Sequence, residues 1–257
     1  MTGAAGFLGR HVVNAPNAER WEVVGLGSRA LDLRRRDAVV ETIRDWKPHA
    51  VIHTAYRKDD RPSIVDASEH VARGAVAAGA RLVHVSTDAL FSGQLARYTE
   101  ADQPRPLNPY GIDKADAEVR VAGVDPGAVI VRTSLLIGVR DLSGHELAVR
   151  RAITGESSVA FFSDEYRTPV LVNDLAAALV DLATMPELTG VLNLAGPEAL
   201  SRAELAMMIA RRHGWDETRL RFSTLAESGL VRPSKVVLDS SKAKHHGLAA
   251  RGPSDWP

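Results

Sequence analysis

The chain contains no cysteine, which excludes disulfides, thiolate metal sites and a thiol nucleophile together. Neither sign of charge is in excess, since Lys and Arg number 32 and Asp and Glu also number 32. No basic field is therefore on offer to nucleic acid or to an anionic membrane, and neither is expected as a partner. Arg34, Arg35 and Arg36 form a local cluster that reads as a solvated loop. No apolar run approaches the ~18 residues of a membrane-span candidate, and Arg132 interrupts the longest one. Among the nine histidines, His245 and His246 are adjacent but lack nearby carboxylates. A surface tail suits them better than a metal site, so no metal is expected. The opening Met1-Thr2-Gly3 does not read as a signal peptide. A cytoplasmic globular protein is the expectation.

What is present is a regular alternation. Short runs rich in Val, Ile and Leu recur at 23–26, 50–55, 81–86, 128–133 and 190–195. Between them lie helix-period segments at 37–46, 64–78, 109–121 and 173–185. Continuous apolar strands alternating with amphipathic helices describe a parallel sheet covered on both faces. Right-handed crossovers then favour a doubly wound, Rossmann-type α/β fold. With 257 residues, 45% of them hydrophobic, the chain can bury one sizeable core plus a small dependent lobe. We expect the dinucleotide-binding core at 1–137 and 168–195. The lobe, expected to bind substrate, takes 138–167 and 196–257, where Ser201 and Glu204 are spaced as a capping box.

Three motifs carry chemistry. Thr2-Gly3-Ala4-Ala5-Gly6-Phe7-Leu8-Gly9 spaces glycines so that backbone can approach a pyrophosphate at a helix N-terminus. Small residues also suit any tight strand-to-helix turn. Tyr110 and Lys114 stand four apart, on one face of a helix. An ammonium beside a phenol favours phenolate, which lowers the phenol's pKa and makes it a usable proton donor and acceptor; a surface pair without a role has the same spacing. Thr87 in Val85-Ser86-Thr87-Asp88 follows a buried strand, where ligand crevices open in such sheets. It suits a hydrogen bond to a substrate carbonyl, or equally a turn or helix cap.

With all three in this order, the chain resembles the extended short-chain dehydrogenase/reductases, and within them the dTDP-4-dehydrorhamnose reductase group, nearly end to end. The loop holding Gly3, Gly6, Phe7, Leu8 and Gly9 resembles the family's glycine motif, Asp32-Leu33 its adenine-contacting pair, and Thr54-Ala55-Tyr56 its cofactor-side turn. Ser86-Thr87-Asp88-Ala89-Leu90-Phe91-Ser92-Gly93 and Leu107-Asn108-Pro109-Tyr110-Gly111, with Lys114, look like its catalytic segments. Val131-Arg132-Thr133-Ser134, Asn193-Leu194-Ala195-Gly196, Arg232-Pro233 and Leu238-Asp239 continue the pattern. The resemblance implies hydride transfer from a reduced nicotinamide to a sugar ketone. Tyr110 would protonate the oxygen, Thr87 would polarise it, and Lys114 would hold the nicotinamide ribose. Thr87, Asp88 and Arg167 are the expected substrate-side residues. Arg167, before Val172 and Asp174-Leu175-Ala176, resembles the family's diphosphate-binding arginine, a task that suits a guanidinium. A structural salt bridge suits it equally.

The departures shape the expectation. Leu135-Leu136-Ile137 stand where the reductases usually carry an aromatic pair. Thr87-Asp88-Ala89 lacks the Glu that a sugar-nucleotide dehydratase would use. No carboxylate follows the run at 23–26; Gly27-Ser28-Arg29 does. A hydroxyl and a guanidinium suit a 2′-phosphate, whereas an NAD-preferring protein places Asp or Glu there. The expected cofactor is therefore NADPH, with NAD also compatible. The reading is an NADP(H)-dependent reductase of a nucleotide-linked keto-deoxysugar. The rivals are a 4-epimerase and a non-catalytic regulatory subunit, like the partner of methionine adenosyltransferase, which resembles this group. A homodimer is left open. Only Met1 and Thr2 precede Gly3, where the resemblance implies a buried central strand. Each unpaired buried backbone group costs about 1–3 kcal/mol, so the first strand is read as truncated and the native product is expected to extend upstream.

Overall fold

The computed structural model describes residues 1–256. Along the chain run α1 (Phe7–Val13), α2 (Arg36–Trp46), β1 (Ala50–His53), α3 (Arg61–Ala78), β2 (Arg81–Thr87), α4 (Pro109–Val124) and β3 (Val129–Thr133). There follow β4 (Leu136–Ile137), α5 (Gly144–Ile153), β5 (Ala160–Phe162), β6 (Tyr166–Arg167), β7 (Val170–Leu171) and α6 (Val172–Leu182). β8 (Gly190–Asn193), β9 (Leu200–Ser201), α7 (Arg202–Arg212) and β10 (Arg221–Ser223) complete the main elements. The central sheet is parallel in the order β1-β2-β3-β8, with His53 opposite His84, Thr87 opposite Thr133 and Val131 opposite Leu192.

Both faces of this sheet are buried, which is why its strands read as continuous apolar runs. On one face Val83, Val129, Val131 and Leu192 pack with Leu8 and Val12 of α1 and Leu175 and Leu179 of α6. On the other, Val51, Leu82 and Ile130 meet Ile43, Val71, Ala75 and Val121 of α2, α3 and α4. Each fully buried Val or Leu is worth about 1.5–3 kcal/mol, and the two faces together fix the layer order.

The run at 23–26 departs from expectation. It forms no strand, and Val23 and Val24 are exposed. Only Leu26 pairs, through bridging with Thr2. Thr2 sits between Leu26 and His53, its amide donating to Ile52 O at 3.1 Å and its carbonyl accepting the Thr54 amide at 3.3 Å. Thr2 thus extends the sheet past β1, and Leu26 follows on its far side.

A separate core gathers Ile137, Val149, Ile153, Phe161, Leu171, Leu205 and Ile209 from β4, α5, β5, β7 and α7. α5 and α7 begin with full capping boxes, Ser143 with Glu146 and Ser201 with Glu204. The last part of the chain turns back to the first core: Val236 and Leu238 pack with Leu90, Phe91 and Tyr98, while Ala243 and Leu248 join Leu175 and Leu192. No helix among the described residues is long and apolar enough to cross a membrane, and none of their His, Asp and Glu side chains group as a metal site.

Candidate active site

The catalytic candidates meet where β2 ends. Thr87 caps the turn at Asp88–Leu90, its oxygen accepting the Ala89 amide at 3.2 Å, which leaves the hydroxyl proton to donate elsewhere. α4 starts beside it, with Pro109 in its first turn and the Asn108 side chain accepting the Gly111 amide at 2.9 Å. A Cβ at Gly111 would lie 2.3 Å from Ala89 O, so glycine lets the helix rest directly on the turn. The consequence is that Tyr110 lies beside Thr87 and Tyr56, its ring centroid 5.6 Å from that of Tyr56.

Lys114 lies one turn further along the same face, 4% exposed, and donates to Val85 O at 2.8 Å. Burial lowers its pKa to about 8, opposed in part by the charge of Glu118. The expected lowering of the Tyr110 pKa by this ammonium is not what the structure shows. Burial pushes the phenol up, Tyr56 adds to the rise, and the Thr87 hydrogen bond opposes it. The cation is anchored on a backbone carbonyl, and desolvation of the ring dominates.

Lys114 gives a direct pH expectation. Because its proton leaves near pH 8, any function of the ammonium is complete below that pH and lost above it. The pH profile of kcat/KM, which reports the free enzyme, should fall on the alkaline side with a midpoint near 8. A flat profile up to pH 10 would remove Lys114 from the reaction.

A cleft of about 480 Å³ opens beside this group. One wall is the glycine loop with Gly3, Gly6, Phe7, Leu8 and Gly9; the other includes Ser28, Asp32, Leu33, Thr54, Ala55 and Tyr56. A Cβ at Gly9 would stand 2.0 Å from Gly3 O, so only a loop built from glycine closes this tightly. A glycine-lined cradle of this size suits a dinucleotide. Arg29 is exposed and outside this lining, whereas Arg34 lies within it. Asp32 grips Arg34 with Nε–Oδ1 at 2.9 Å and Nη2–Oδ2 at 2.8 Å, which lowers the Asp32 pKa to about 2. Arg34 is an exposed loop residue, as its place beside Arg35 and Arg36 implies, and it also lines the cleft. A second open groove, of about 560 Å³, lies between α2 and the C-terminal ends of α3 and α4, the ends away from Tyr110 and Lys114.

On the other side of Thr87, Asp88 and Arg167 are buried together. Arg167 Nε is 3.7 Å from Asp88 Oδ2, Nη2 is 3.3 Å from Glu165 Oε1, and Nη1 donates to Tyr166 O at 2.7 Å and Pro233 O at 3.1 Å. Ser134 donates to Asp88 at 2.6 Å, while burial pushes the Asp88 carboxyl up. Of the two expectations for Arg167, the structure shows the salt bridge: its donors face inward. The more open guanidinium is Arg232, 43% exposed, which holds Glu165 at 2.7 and 2.9 Å. Its part in this network was not visible in the sequence, because the pairing spans 67 residues.

Residues 1–254 match the family described as RmlD substrate binding domain. The chain belongs to this family. It is 32% identical to methionine adenosyltransferase 2 subunit beta of Rattus norvegicus, with 100% of this chain and 86% of that protein covered. It is 28% identical to dTDP-4-dehydrorhamnose reductase of Mycolicibacterium smegmatis, covering 100% and 81%. Among solved structures, dTDP-4-dehydrorhamnose reductase from Bacillus anthracis in complex with NADP superposes with a TM-score of 0.88 at 24% identity, covering 99% of this chain and 94% of that one. The last likeness establishes the shared fold.

Proposed function

We propose that the chain is an NADP(H)-dependent reductase of a nucleotide-linked keto-deoxysugar. The observation that carries the reading is the convergence of Thr87, Tyr110 and Lys114 next to Tyr56, which lines a glycine-walled cleft. The names of two relatives, a reductase from Mycolicibacterium smegmatis and an NADP complex from Bacillus anthracis, support it. Bound NADPH would supply the hydride. Thr87 has a hydroxyl proton free to hydrogen-bond the ketone oxygen, and Tyr110 beside it delivers the proton that makes the alcohol. Lys114 sits below them, where its ammonium can hold the nicotinamide ribose. Ala89 follows Thr87-Asp88, so the glutamate an elimination would need is missing, and dehydratase chemistry is not proposed.

A second reading rests on the 32% identity to a methionine adenosyltransferase subunit: a dinucleotide-binding regulatory subunit. Thermal shift separates the two, because a ligand raises apparent stability in proportion to its affinity for the native state. The reductase reading expects shifts with NADPH and further shifts when a dTDP-linked or UDP-linked sugar is added. A shift with NADPH alone, and none with any nucleotide sugar, favours the regulatory reading.

For cofactor choice, Ser28, Arg34 and Arg57 line the cleft and Arg29 does not, and of the two arginines we assign Arg34, held by Asp32, to the 2′-phosphate. A charge-assisted hydrogen bond is worth about 1.5–3 kcal/mol, so Arg34→Ala should weaken NADPH binding by roughly 10- to 100-fold and NADH binding far less. Dissociation constants for both cofactors, in wild type, Arg34→Ala and Arg29→Ala, check this. An equal loss for the two cofactors would contradict it.

A further inference from the structure

We propose that His53 is a positioning residue for the cofactor, tying the glycine loop to α3 through Thr2 and so fixing how that loop faces the cleft. The assignment rests on the dinucleotide-binding cleft, common to the reductase and the regulatory subunit, and on no catalytic step.

His53 ends a strand whose other residues are Ala, Val and Ile. It is buried, and an imidazole taken out of water loses free energy unless its nitrogens find partners. Both are paired here. Nε2 lies 3.2 Å from Ser68 Oγ of α3, and Nδ1 lies 2.6 Å from Thr2 Oγ1. The direction of each bond follows from the far end of the chain. Ser68 Oγ donates its one proton to Ile64 O at 2.5 Å, so towards His53 it accepts. Nε2 therefore carries the ring proton, and Nδ1 is left with a lone pair that accepts the Thr2 hydroxyl. Burial lowers the His53 pKa to about 3, and the nearby Lys114 charge adds to the fall. The neutral ring that this chain of bonds needs is thus kept at ordinary pH.

What the chain of bonds holds is the first residue of the cofactor loop. Thr2 O also accepts the Thr54 hydroxyl at 3.0 Å. Gly3, at φ +76°, lies so close to the same turn that a Cβ would stand 2.6 Å from Thr54 Oγ1. The backbone bonds between Thr2 and residues 52 and 54 form whatever side chain stands at 53. The bond from Thr2 Oγ1 does not, and an apolar residue there would pack without making it. With that tie removed, the loop samples orientations that do not bind. The apparent dissociation constant then rises by the inverse of the competent fraction, and one net hydrogen bond sets that rise at roughly 3- to 10-fold.

The test measures NADPH dissociation constants for wild type, His53→Leu, His53→Asn, Thr2→Val and the double variant His53→Leu/Thr2→Val, each well below its own Tm. Leucine fills the place of the ring and pairs with nothing. Asparagine sets an oxygen near the position of Nδ1 and restores the Thr2 bond alone. The expected result is a loss of roughly 3- to 10-fold, one net hydrogen bond, in His53→Leu and in Thr2→Val. The double variant should lose no more than either single one, and His53→Asn should bind nearly as wild type does. Nitrogen NMR shifts of the His53 ring should show the Nε2–H tautomer. Wild-type affinity in His53→Leu overturns the proposal. So does His53→Asn as weak as His53→Leu, or losses that add in the double variant, because a packing role follows volume and not the Nδ1 lone pair. An Nδ1–H tautomer overturns it too. If His53→Leu does not fold, Thr2→Val decides alone, and unchanged affinity there overturns the tie. A wild type that binds no NADPH overturns the dinucleotide cleft, and this assignment with it. Failure of the reductase reading shows instead in turnover, which none of these measurements uses.

Discussion

Tyr110→Phe should lower turnover by about two to four orders of magnitude, the usual worth of general acid catalysis, while NADPH affinity changes little. The phenol lies beside Thr87 and Tyr56 and is not part of the cleft wall, which is made by the glycine loop and the turns after Leu26 and His53. Removing one oxygen from Tyr110 therefore takes away the proton donor and leaves the cradle. Lys114→Met should behave differently. Its ammonium is buried under the same helix, so its loss should weaken cofactor binding and slow the reaction together. Steady-state kinetics with a cofactor titration separate the two patterns, and near-normal turnover in Tyr110→Phe would refute the assignment.

The largest effect on stability should come from Arg132. This residue interrupts an otherwise apolar strand, and the structure explains it. Arg132 is 3% exposed and clasps Glu118 of α4, itself 5% exposed, with Nη2–Oε2 at 2.7 Å and Nε–Oε1 at 3.1 Å. Its guanidinium also lies 5.3 Å from the centre of the Phe91 ring. Glu118 follows Tyr110 and Lys114 at four-residue intervals, so the pair clamps the catalytic face of α4 to the sheet. Arg132→Met strands a buried carboxylate, at a cost of about 3–5 kcal/mol, or roughly 10 °C in Tm for a chain of this size. Adding Glu118→Leu should restore much of the loss, because an apolar pair of similar volume can replace a buried ion pair. Thermal denaturation of the single and double variants checks both statements. A single variant within 0.5 kcal/mol of wild type would contradict the clamp.

Which features could be read from the sequence follows from how local their causes are. The strands at 50–53, 81–87, 129–133 and 190–193 announced themselves because burial on both faces enriches them in Val, Ile and Leu, with few polar interruptions such as His84 and Arg132. The apolar run at 23–26 looked the same, yet a strand also needs a paired neighbour along its length, and there only Leu26 forms a bridge, to Thr2. The alignment of Tyr110 with Lys114 is a property of helix geometry and was legible from spacing. The direction of the Tyr110 shift was not, because it depends on Tyr56 and on burial, which arrive from elsewhere in the chain. The arginines show the same limit. Arg167 turns inward because Glu165, Asp88 and the Pro233 carbonyl surround it, and Arg34 faces the cleft because Asp32 holds it there. Charge type is written in the sequence, whereas the partner that decides a charge's use is chosen by tertiary packing.

The proposed function stands or falls on where the hydride goes. Incubating the protein with NADPH deuterated at C4 of the nicotinamide and a dTDP-linked 4-keto-6-deoxyhexose, then weighing the sugar product, measures this directly. The reductase reading predicts an alcohol carrying one deuterium at sugar C4, formed by wild type and lost in Tyr110→Phe. Recovery of the ketone unreduced, with the cofactor bound but its deuterium retained, would contradict it.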